Sequence, residues 1–257
     1  MMAEEDIKLE VRDQIAILTF NRPQVRNSLT FDMYHRLGEI CQAPPEGAKA
    51  MIITGAGDRA FAAGTDISQF RDFTTPEQAI EYEATMDEVL EAVECCPIPT
   101  IAAINGACTG GGGVIAAACD IRICDQRLKF GFPIARTLGN CLSAANINRL
   151  EILIGAGRVR EIIFTCRLIE AQEALNVGLV SQVLDTAADV EQRAWALAVQ
   201  VAGHAPLTLR ATKEIQRRLA LTQCKDRDWI VKCYTSEDFR EGLDAFLTKR
   251  PPTWQGK

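Results

Sequence analysis

Four consecutive glycines, residues 110–113, stand between a stretch with the pattern of a buried strand, residues 100–104, and an apolar helix predicted to reach residue 118. The run contains no G-x-G-x-x-G dinucleotide motif and no following Lys-Ser or Lys-Thr pair of a P-loop. One interpretation is a tight turn, because glycine tolerates positive φ and close backbone contacts. The other is a ligand site, because the first amides of a helix are unpaired and its dipole favours a negative oxygen there.

Strand-like and helix-like segments alternate along the chain, which predicts an α/β fold. Strands are predicted at residues 7–11, 15–20, 50–54, 100–104 and 121–124, and residues 106–113 are predicted to form a turn. Thr30 and Thr75 have the character of N-caps, which predicts helices that end near residues 41 and 95. From residue 144 the pattern is mostly helical, with one strand near residues 179–183.

Apolar helical faces in the last part of the chain are larger than a solvent-facing helix needs. They include Trp195, Leu197, Val199 and Val201, in a segment of two or three predicted helices, residues 190–248. We therefore predict an α/β core, residues 1–190, followed by a helical oligomerisation region, residues 191–257, that packs on a partner subunit.

The charge and the cysteine pattern disfavour several classes of protein. The 257 residues carry 28 Lys and Arg against 34 Asp and Glu, a net charge of −6, which disfavours nucleic acid as a partner. The longest apolar runs, residues 114–119 and 194–199, are too short to span a membrane. The ten cysteines form no C-x-x-C pair and only two histidines are present, so we expect no metal site and a reducing, cytoplasmic compartment.

A second loop, residues 60–67, follows the predicted strand at residues 50–54. Loops that follow neighbouring parallel strands meet at one edge of a sheet, where α/β proteins bind ligands. One backbone N–H from this loop and one from the glycine run would then form a two-donor oxyanion hole. Taken alone, the segment is also typical of an ordinary loop.

Several short motifs occur in the order seen in the enoyl-CoA hydratase/isomerase (crotonase) family, which the chain resembles over nearly its whole length. Besides the two loops, they are Leu18-Thr19-Phe20-Asn21-Arg22-Pro23, Asn27-Ser28-Leu29, the pair Ala174-Leu175 and Gly178-Leu179-Val180, and the tail Ser236-Glu237-Asp238-Phe239-Arg240-Glu241-Gly242. The resemblance implies a crotonase-like α/β spiral of β-β-α units with a C-terminal helical trimerisation region. It also implies a homotrimer or homohexamer that binds acyl-CoA thioesters, with coenzyme A as part of the substrate and no permanently bound cofactor.

The same resemblance implies roles for individual residues. The backbone N–H groups of Thr65 and Gly111 match the oxyanion hole of the family. The positions that match the coenzyme A site are Ala62, Ala63 and Gly64, near the adenine, and Arg26, at the phosphates. A solvated loop arginine is the alternative interpretation of Arg26.

The two catalytic glutamates of the family's hydratases are missing. Their positions hold Val114, after the glycine run, and Ile134, or Ala135 if the alignment shifts by one residue. A positioned acid or base contributes about 10²–10⁴ in rate and an oxyanion donor about 10²–10³, so we expect weak hydration but persistent enolate stabilisation. The alternatives are a decarboxylase of a malonyl-type acyl-CoA, which needs no base and gains from an apolar pocket, and a catalytically silent acyl-CoA-binding protein.

Other side chains could supply the missing chemistry. Glu83, one helical turn before Asp87, could replace an acid, with a solvated helix face as the alternative. Cys141 could act as a nucleophile if its pKa were lowered, although most cysteines are small core residues. Arg136 could recognise a carboxylate on the acyl group, with a surface ion pair as the alternative.

Overall fold

The computed structural model describes residues 6–70, 75–220 and 236–257. Its strands are β1 (Ile7–Arg12), β2 (Ile15–Phe20), β3 (Ala50–Gly55), β4 (Ala60–Ala62), β5 (Thr100–Ile104), β6 (Ala107–Thr109), β7 (Ile121–Asp125), β8 (Lys129–Gly131), β9 (Ile169–Glu170) and β10 (Gln182–Leu184). Six of them form one sheet in the order β1-β2-β3-β5-β7-β10. Its neighbouring strands are parallel except in the β1–β2 hairpin. All the strands predicted from the sequence lie in this sheet.

The helices are α1 (Phe31–Gln42), α2 (Pro76–Glu94), α3 (Gly111–Ala118), α4 (Ile134–Thr137), α5 (Ala144–Ile154), α6 (Ala156–Thr165), α7 (Ala171–Asn176), α8 (Ala187–Ala202), α9 (Pro206–Ala220) and α10 (Glu237–Thr248). Both predicted N-caps are confirmed. The Thr30 side chain accepts a hydrogen bond from the Met33 N–H, and Thr75 forms a capping box with Gln78. In the described part of the chain, no helix combines the length and the apolar character that a membrane span requires.

A second sheet was not predicted. It has four strands in the order β4-β6-β8-β9, of which β4–β6 and β6–β8 are parallel pairs. Residues 106–113, expected to form a turn, instead contain β6 and the start of α3, so that prediction was wrong. Each strand of this sheet has only two or three residues, too few for the alternating pattern by which a strand is recognised in a sequence.

The six-stranded sheet is covered on both faces. In β3, Met51 and Ile53 belong to the larger hydrophobic core, and Ala50 and Ile52 belong to a smaller one on the other face. This division follows from the alternation of side chains along a strand. α1, α2 and α3 contribute to the larger core, and α8 covers the smaller one.

Most of the apolar face that the sequence assigned to a partner subunit is used within the chain. Trp195, Leu197 and Val201 are half-buried and pack from α8 against the smaller core, so part of each side chain is covered within the chain, and their contact with a partner subunit stays a prediction. Val199 is 49% exposed. The division of the chain at residue 190 stays a prediction, and residue 190 lies inside α8. Residues 221–235 of the predicted helical region lie outside the described residues.

Candidate active site

Thr65 follows β4 in an extended segment that pairs with Leu29. The Leu29 N–H donates to the Gly64 carbonyl at 2.9 Å, and the Asp66 N–H donates to the Leu29 carbonyl at 2.8 Å. Because successive N–H groups of an extended chain point to opposite sides, this pairing directs the Thr65 N–H away from Leu29. Across the described residues, the Thr65 N–H donates to no acceptor.

Gly111 is the first residue of α3, so its N–H has no acceptor within the helix. In the part of the chain that the structure describes, the Gly111 N–H forms no hydrogen bond at all. The neighbouring Gly110 N–H, in contrast, donates to the Gly131 carbonyl at 3.0 Å. A Cβ placed on Gly110 would lie 3.4 Å from Gly64 Cα, so the two unpaired amides come from loops that lie side by side.

The glycine run also allows close packing. A Cβ placed on Gly112 would lie 2.2 Å from the Ala62 carbonyl oxygen. Only glycine therefore lets α3 begin directly against β4. The packing interpretation is confirmed at Gly112, and the ligand-site interpretation stays a prediction for Gly111, whose N–H donates to no described acceptor.

Three hydroxyl groups, those of Tyr34, Thr65 and Tyr82, lie beside these amides and are called the hydroxyl cluster. The Tyr34 hydroxyl is 2.9 Å from Thr65 Oγ1, and Thr65 Oγ1 is 3.1 Å from the Tyr82 hydroxyl. Burial raises the pKa of both phenols above their ordinary value of 10.0, so both are protonated at physiological pH. Sequence reasoning missed Tyr34, because an amphipathic helix does not show which of its buried residues will meet a loop 31 positions away.

Glu83 and Asp87 lie on α2 and meet the segment that leads into α5. The Ser143 hydroxyl is 2.7 Å from Asp87 Oδ1. Burial and, to a lesser degree, the charge of Asp87 raise the pKa of Glu83 above its ordinary value of 4.5. Glu83 is half-buried, so the alternative of a fully solvated helix face does not describe it.

The positions that the resemblance matches to the family's glutamates are apolar. Val114 is 6% exposed and lies on α3, one turn beyond Gly111. Ile134 is half-buried at the start of α4 and packs against the larger core. The alternative position, Ala135, is exposed.

Arg26 lies next to the loop that the resemblance assigns to the adenine. Its carbonyl oxygen accepts a hydrogen bond from the Ala63 N–H at 3.1 Å, and its side chain is exposed. Ala62 and Gly64 are buried, and Ala63 is half-buried. The structure thus brings Arg26 and residues 62–64 together, and their contact with coenzyme A stays a prediction.

Two further candidates lie outside the core. Cys141 has an exposed thiol between α4 and α5, so it is not a small core residue. Arg136 is exposed on α4. Within residues 6–70, 75–220 and 236–257, no group of three or more His, Cys, Asp or Glu side chains is placed to hold a metal ion.

Comparisons with known proteins identify the family. The family model described as enoyl-CoA hydratase/isomerase matches residues 10–257. A short-chain-enoyl-CoA hydratase of Clostridium acetobutylicum is 32% identical over 258 residues, 97% of each chain. A carnitinyl-CoA dehydratase of Proteus mirabilis is 32% identical, over 98% of this chain and 99% of that protein. The crystal structure of an enoyl-CoA hydratase/carnithine racemase from Magnetospirillum magneticum matches with a TM-score of 0.90 at 32% identity, over 98% of this chain and 96% of that one.

The chain therefore belongs to the enoyl-CoA hydratase/isomerase family. The resemblance seen in the sequence motifs and the predicted crotonase-like α/β fold are both confirmed. The chain is an enzyme of an acyl-CoA-processing family. Because these relatives carry different reaction names, the reaction of this chain has to be argued from its own side chains.

Proposed function

We propose that the chain binds an acyl-CoA thioester with its carbonyl oxygen against the N–H groups of Thr65 and Gly111, and that it stabilises the thioester enolate. The observation that supports this function is a pair of amides, on loops that lie side by side, that donate to no described acceptor. Each donor aimed at a developing oxyanion lowers the barrier by about 2.7–4 kcal/mol. The positive end of the α3 dipole acts in the same direction.

We propose that Glu83 moves the proton at the acyl chain. A half-buried carboxyl with a raised pKa is closer to the operating pH of an enzyme than an ordinary glutamate, which favours general acid–base catalysis. In isomerisation, Glu83 would take a proton from one acyl carbon to form the enolate and return it to another carbon. In hydration, Glu83 would take a proton from the water that adds to the β-carbon of an enoyl-CoA, and would return it to the α-carbon of the enolate formed by that addition.

Decarboxylation of a malonyl-type acyl-CoA is a second candidate reaction, favoured by Val114 and Ile134. In this reaction the electron pair of the breaking C–C bond enters the enolate and neutral CO₂ leaves. Apolar side chains at both positions disfavour the charged carboxylate relative to CO₂. No base is needed for the cleavage, so Glu83 would act only in the later protonation of the enolate.

The remainder of the substrate and the assembly follow the family resemblance. We propose that Arg26 binds the phosphates of coenzyme A and that residues 62–64 contact its adenine. We also propose a homotrimer or homohexamer, in which Val199 on α8 and Leu219 on α9, 49% and 56% exposed, become covered. The eight described cysteines are free thiols, which supports a reducing, cytoplasmic location.

Three substrates separate the candidate functions. Crotonyl-CoA reports hydration by loss of the conjugated thioester absorbance, methylmalonyl-CoA reports decarboxylation by CO₂ release, and butyryl-CoA in D₂O reports enolate formation by exchange of its α-hydrogens. Glu83→Gln should abolish exchange and leave CO₂ release intact. Binding without any reaction, seen as a raised melting temperature, would support the silent acyl-CoA-binding alternative, and no thermal shift at all would contradict the proposed ligand.

A matched pair of variants tests the Gly111 amide itself. Proline at the first helical position removes the N–H and is otherwise tolerated there, whereas alanine keeps the N–H. Because a Cβ at Gly111 would lie 1.8 Å from the Tyr34 hydroxyl oxygen, both variants are made together with Tyr34→Phe. Gly111→Pro should be slower than Gly111→Ala by about 10²–10³ in this background. Equal rates in two folded variants would refute the assignment of this donor.

A further inference from the structure

The Tyr34 side chain contacts both halves of the proposed oxyanion hole. Its hydroxyl lies 2.9 Å from Thr65 Oγ1 and fills the space beside Gly111, where a Cβ would come within 1.8 Å of the hydroxyl oxygen. Tyr34 is 1% exposed and belongs to the larger core, so it cannot turn away into solvent. A rigid, buried side chain therefore sets the spacing between the loop of Thr65 and the start of α3.

The hydrogen bond at the buried end of the hydroxyl cluster has a defined direction. Among the described residues, Thr65 Oγ1 is the one partner of the Tyr34 hydroxyl. A buried hydroxyl without an acceptor is strongly disfavoured, so Tyr34 donates and Thr65 Oγ1 accepts. The second bond, to Tyr82, holds the same oxygen from the other side, and the β-branched Thr65 side chain is already restricted in χ1.

The Tyr82 end of the cluster is fixed by aromatic packing. The Tyr82 ring centroid lies 5.3 Å from that of Phe31 on α1 and 4.9 Å from that of Phe70, which follows the Thr65 loop. These contacts are in the range of favourable tilted and edge-to-face ring pairs. The hydroxyl cluster thus ties α1, α2 and the Thr65 loop to one another at a single oxygen atom.

We propose that Tyr34, assisted by Tyr82, is a positioning residue: its hydroxyl holds Thr65 at the distance from Gly111 at which both amides reach the same thioester oxygen. This inference rests on the proposed function and adds the residues that make the oxyanion hole rigid. Without the cluster, the Thr65 loop keeps its pairing with Leu29 on one side but loses its support on the other. A displacement of about 1 Å in such a site can cost about 100-fold in rate.

The test measures the polarisation of the bound carbonyl directly. Crotonyl-CoA labelled with ¹³C at the thioester carbonyl is bound to the full-length chain, and the C=O stretching frequency is read by infrared difference spectroscopy. In the wild type, the two amides should lower this frequency relative to crotonyl-CoA in buffer. Tyr34→Phe should lose about half of that shift and reduce kcat for α-hydrogen exchange of butyryl-CoA about tenfold, with KM changed less than about twofold.

Two Thr65 variants provide a matched control in the same assay. Thr65→Val keeps the backbone N–H and the side-chain shape but removes the hydroxyl, so it should behave like Tyr34→Phe. Thr65→Ser keeps the hydroxyl and should retain most of the wild-type frequency shift. If Tyr34→Phe does not fold, this pair and Tyr82→Phe decide the question with the same measurement.

The outcomes separate the inference from the function on which it rests. A wild-type shift that Tyr34→Phe and Thr65→Val both retain in full would overturn the positioning role and leave the oxyanion hole standing. A wild type that binds crotonyl-CoA without any shift would overturn the proposed function itself. A shift that Thr65→Val loses and Thr65→Ser keeps would support the role of the hydroxyl cluster.

Discussion

Gly111→Ala should destabilise the fold strongly, because the new methyl group meets the Tyr34 hydroxyl. Its Cβ would lie 1.8 Å from the hydroxyl oxygen, far inside van der Waals contact. Tyr34 is 1% exposed, and α3 cannot retreat freely because Gly112 packs against the Ala62 backbone. Overpacking costs about 1–3 kcal/mol and breaking the Tyr34–Thr65 hydrogen bond about 0.5–1.5 kcal/mol, so we expect a loss of about 2–4 kcal/mol in unfolding free energy.

Tyr34→Phe should remove most of this penalty when the two changes are combined. Without the hydroxyl, the nearest Tyr34 atom to the new Cβ is the ring carbon Cζ at 3.1 Å, a tight contact that a shift of a few tenths of an ångström relieves. The double variant should therefore be only slightly less stable than Tyr34→Phe alone. The expected coupling free energy between the two sites is about 1–3 kcal/mol.

Urea unfolding, followed by circular dichroism, gives the unfolding free energies of the wild type, the two single variants and the double variant. The four values can be compared when the m-values are equal. Gly157→Ala is the matched control: Gly157 lies near the start of α6, and no atom lies within 4 Å of its added Cβ. That change should leave the unfolding free energy unaltered or raise it by up to about 1 kcal/mol, because alanine favours helix more than glycine does. Additive effects of Gly111→Ala and Tyr34→Phe would refute the contact between the hydroxyl and Gly111.

Three other predictions concern charge, substrate binding and assembly. Glu83→Gln should raise the melting temperature at pH 7, because ionising a carboxyl with a raised pKa destabilises the fold, and the gain should vanish as the pH falls to about 4.5. A gain that persists at pH 4 would contradict this reasoning. Arg26→Ala should raise KM for an acyl-CoA but not for an acyl-pantetheine, which lacks the nucleotide; equal effects on both would exclude the phosphate contact. Leu219→Glu should dissociate the proposed trimer or hexamer, as measured by light scattering, and a monomeric wild type would refute the assembly.

The six-stranded sheet could be predicted because its strands are long enough to show their own pattern. β3 and β5 each contain a continuous apolar run of four residues, 50–53 and 101–104, and the caps Thr30 and Thr75 act within one turn of their helices. The second sheet could not, since its strands have two or three residues and its β4–β6 pair lies where α3 begins. Its close contact between Gly112 and Ala62 joins residues distant in sequence, which no local pattern reveals.

The same distinction holds at the candidate site. The residues themselves indicated one amide from each of the two loops, because a helix start leaves its first N–H groups unpaired, and the family resemblance then pointed to Thr65 and Gly111. The partners that surround them come from far along the chain. The Tyr34 and Thr65 hydroxyls are separated by 31 positions, and the Ser143 hydroxyl and Asp87 by 56. Glu83 could therefore be named as a candidate acid, but its environment could not.

Burial affects both the two apolar positions and the titratable side chains of the candidate site. α3 and α4 carry Val114 and Ile134, while Tyr34 comes from α1 and Tyr82 and Glu83 come from α2. All three have a pKa raised mainly by burial, which favours their neutral forms. The same low-polarity surroundings strengthen the attraction between an amide dipole and a developing oxyanion. If the proposed oxyanion hole operates, apolar side chains at the two positions therefore remove one route for proton transfer while they keep the surroundings in which the two amides act most strongly.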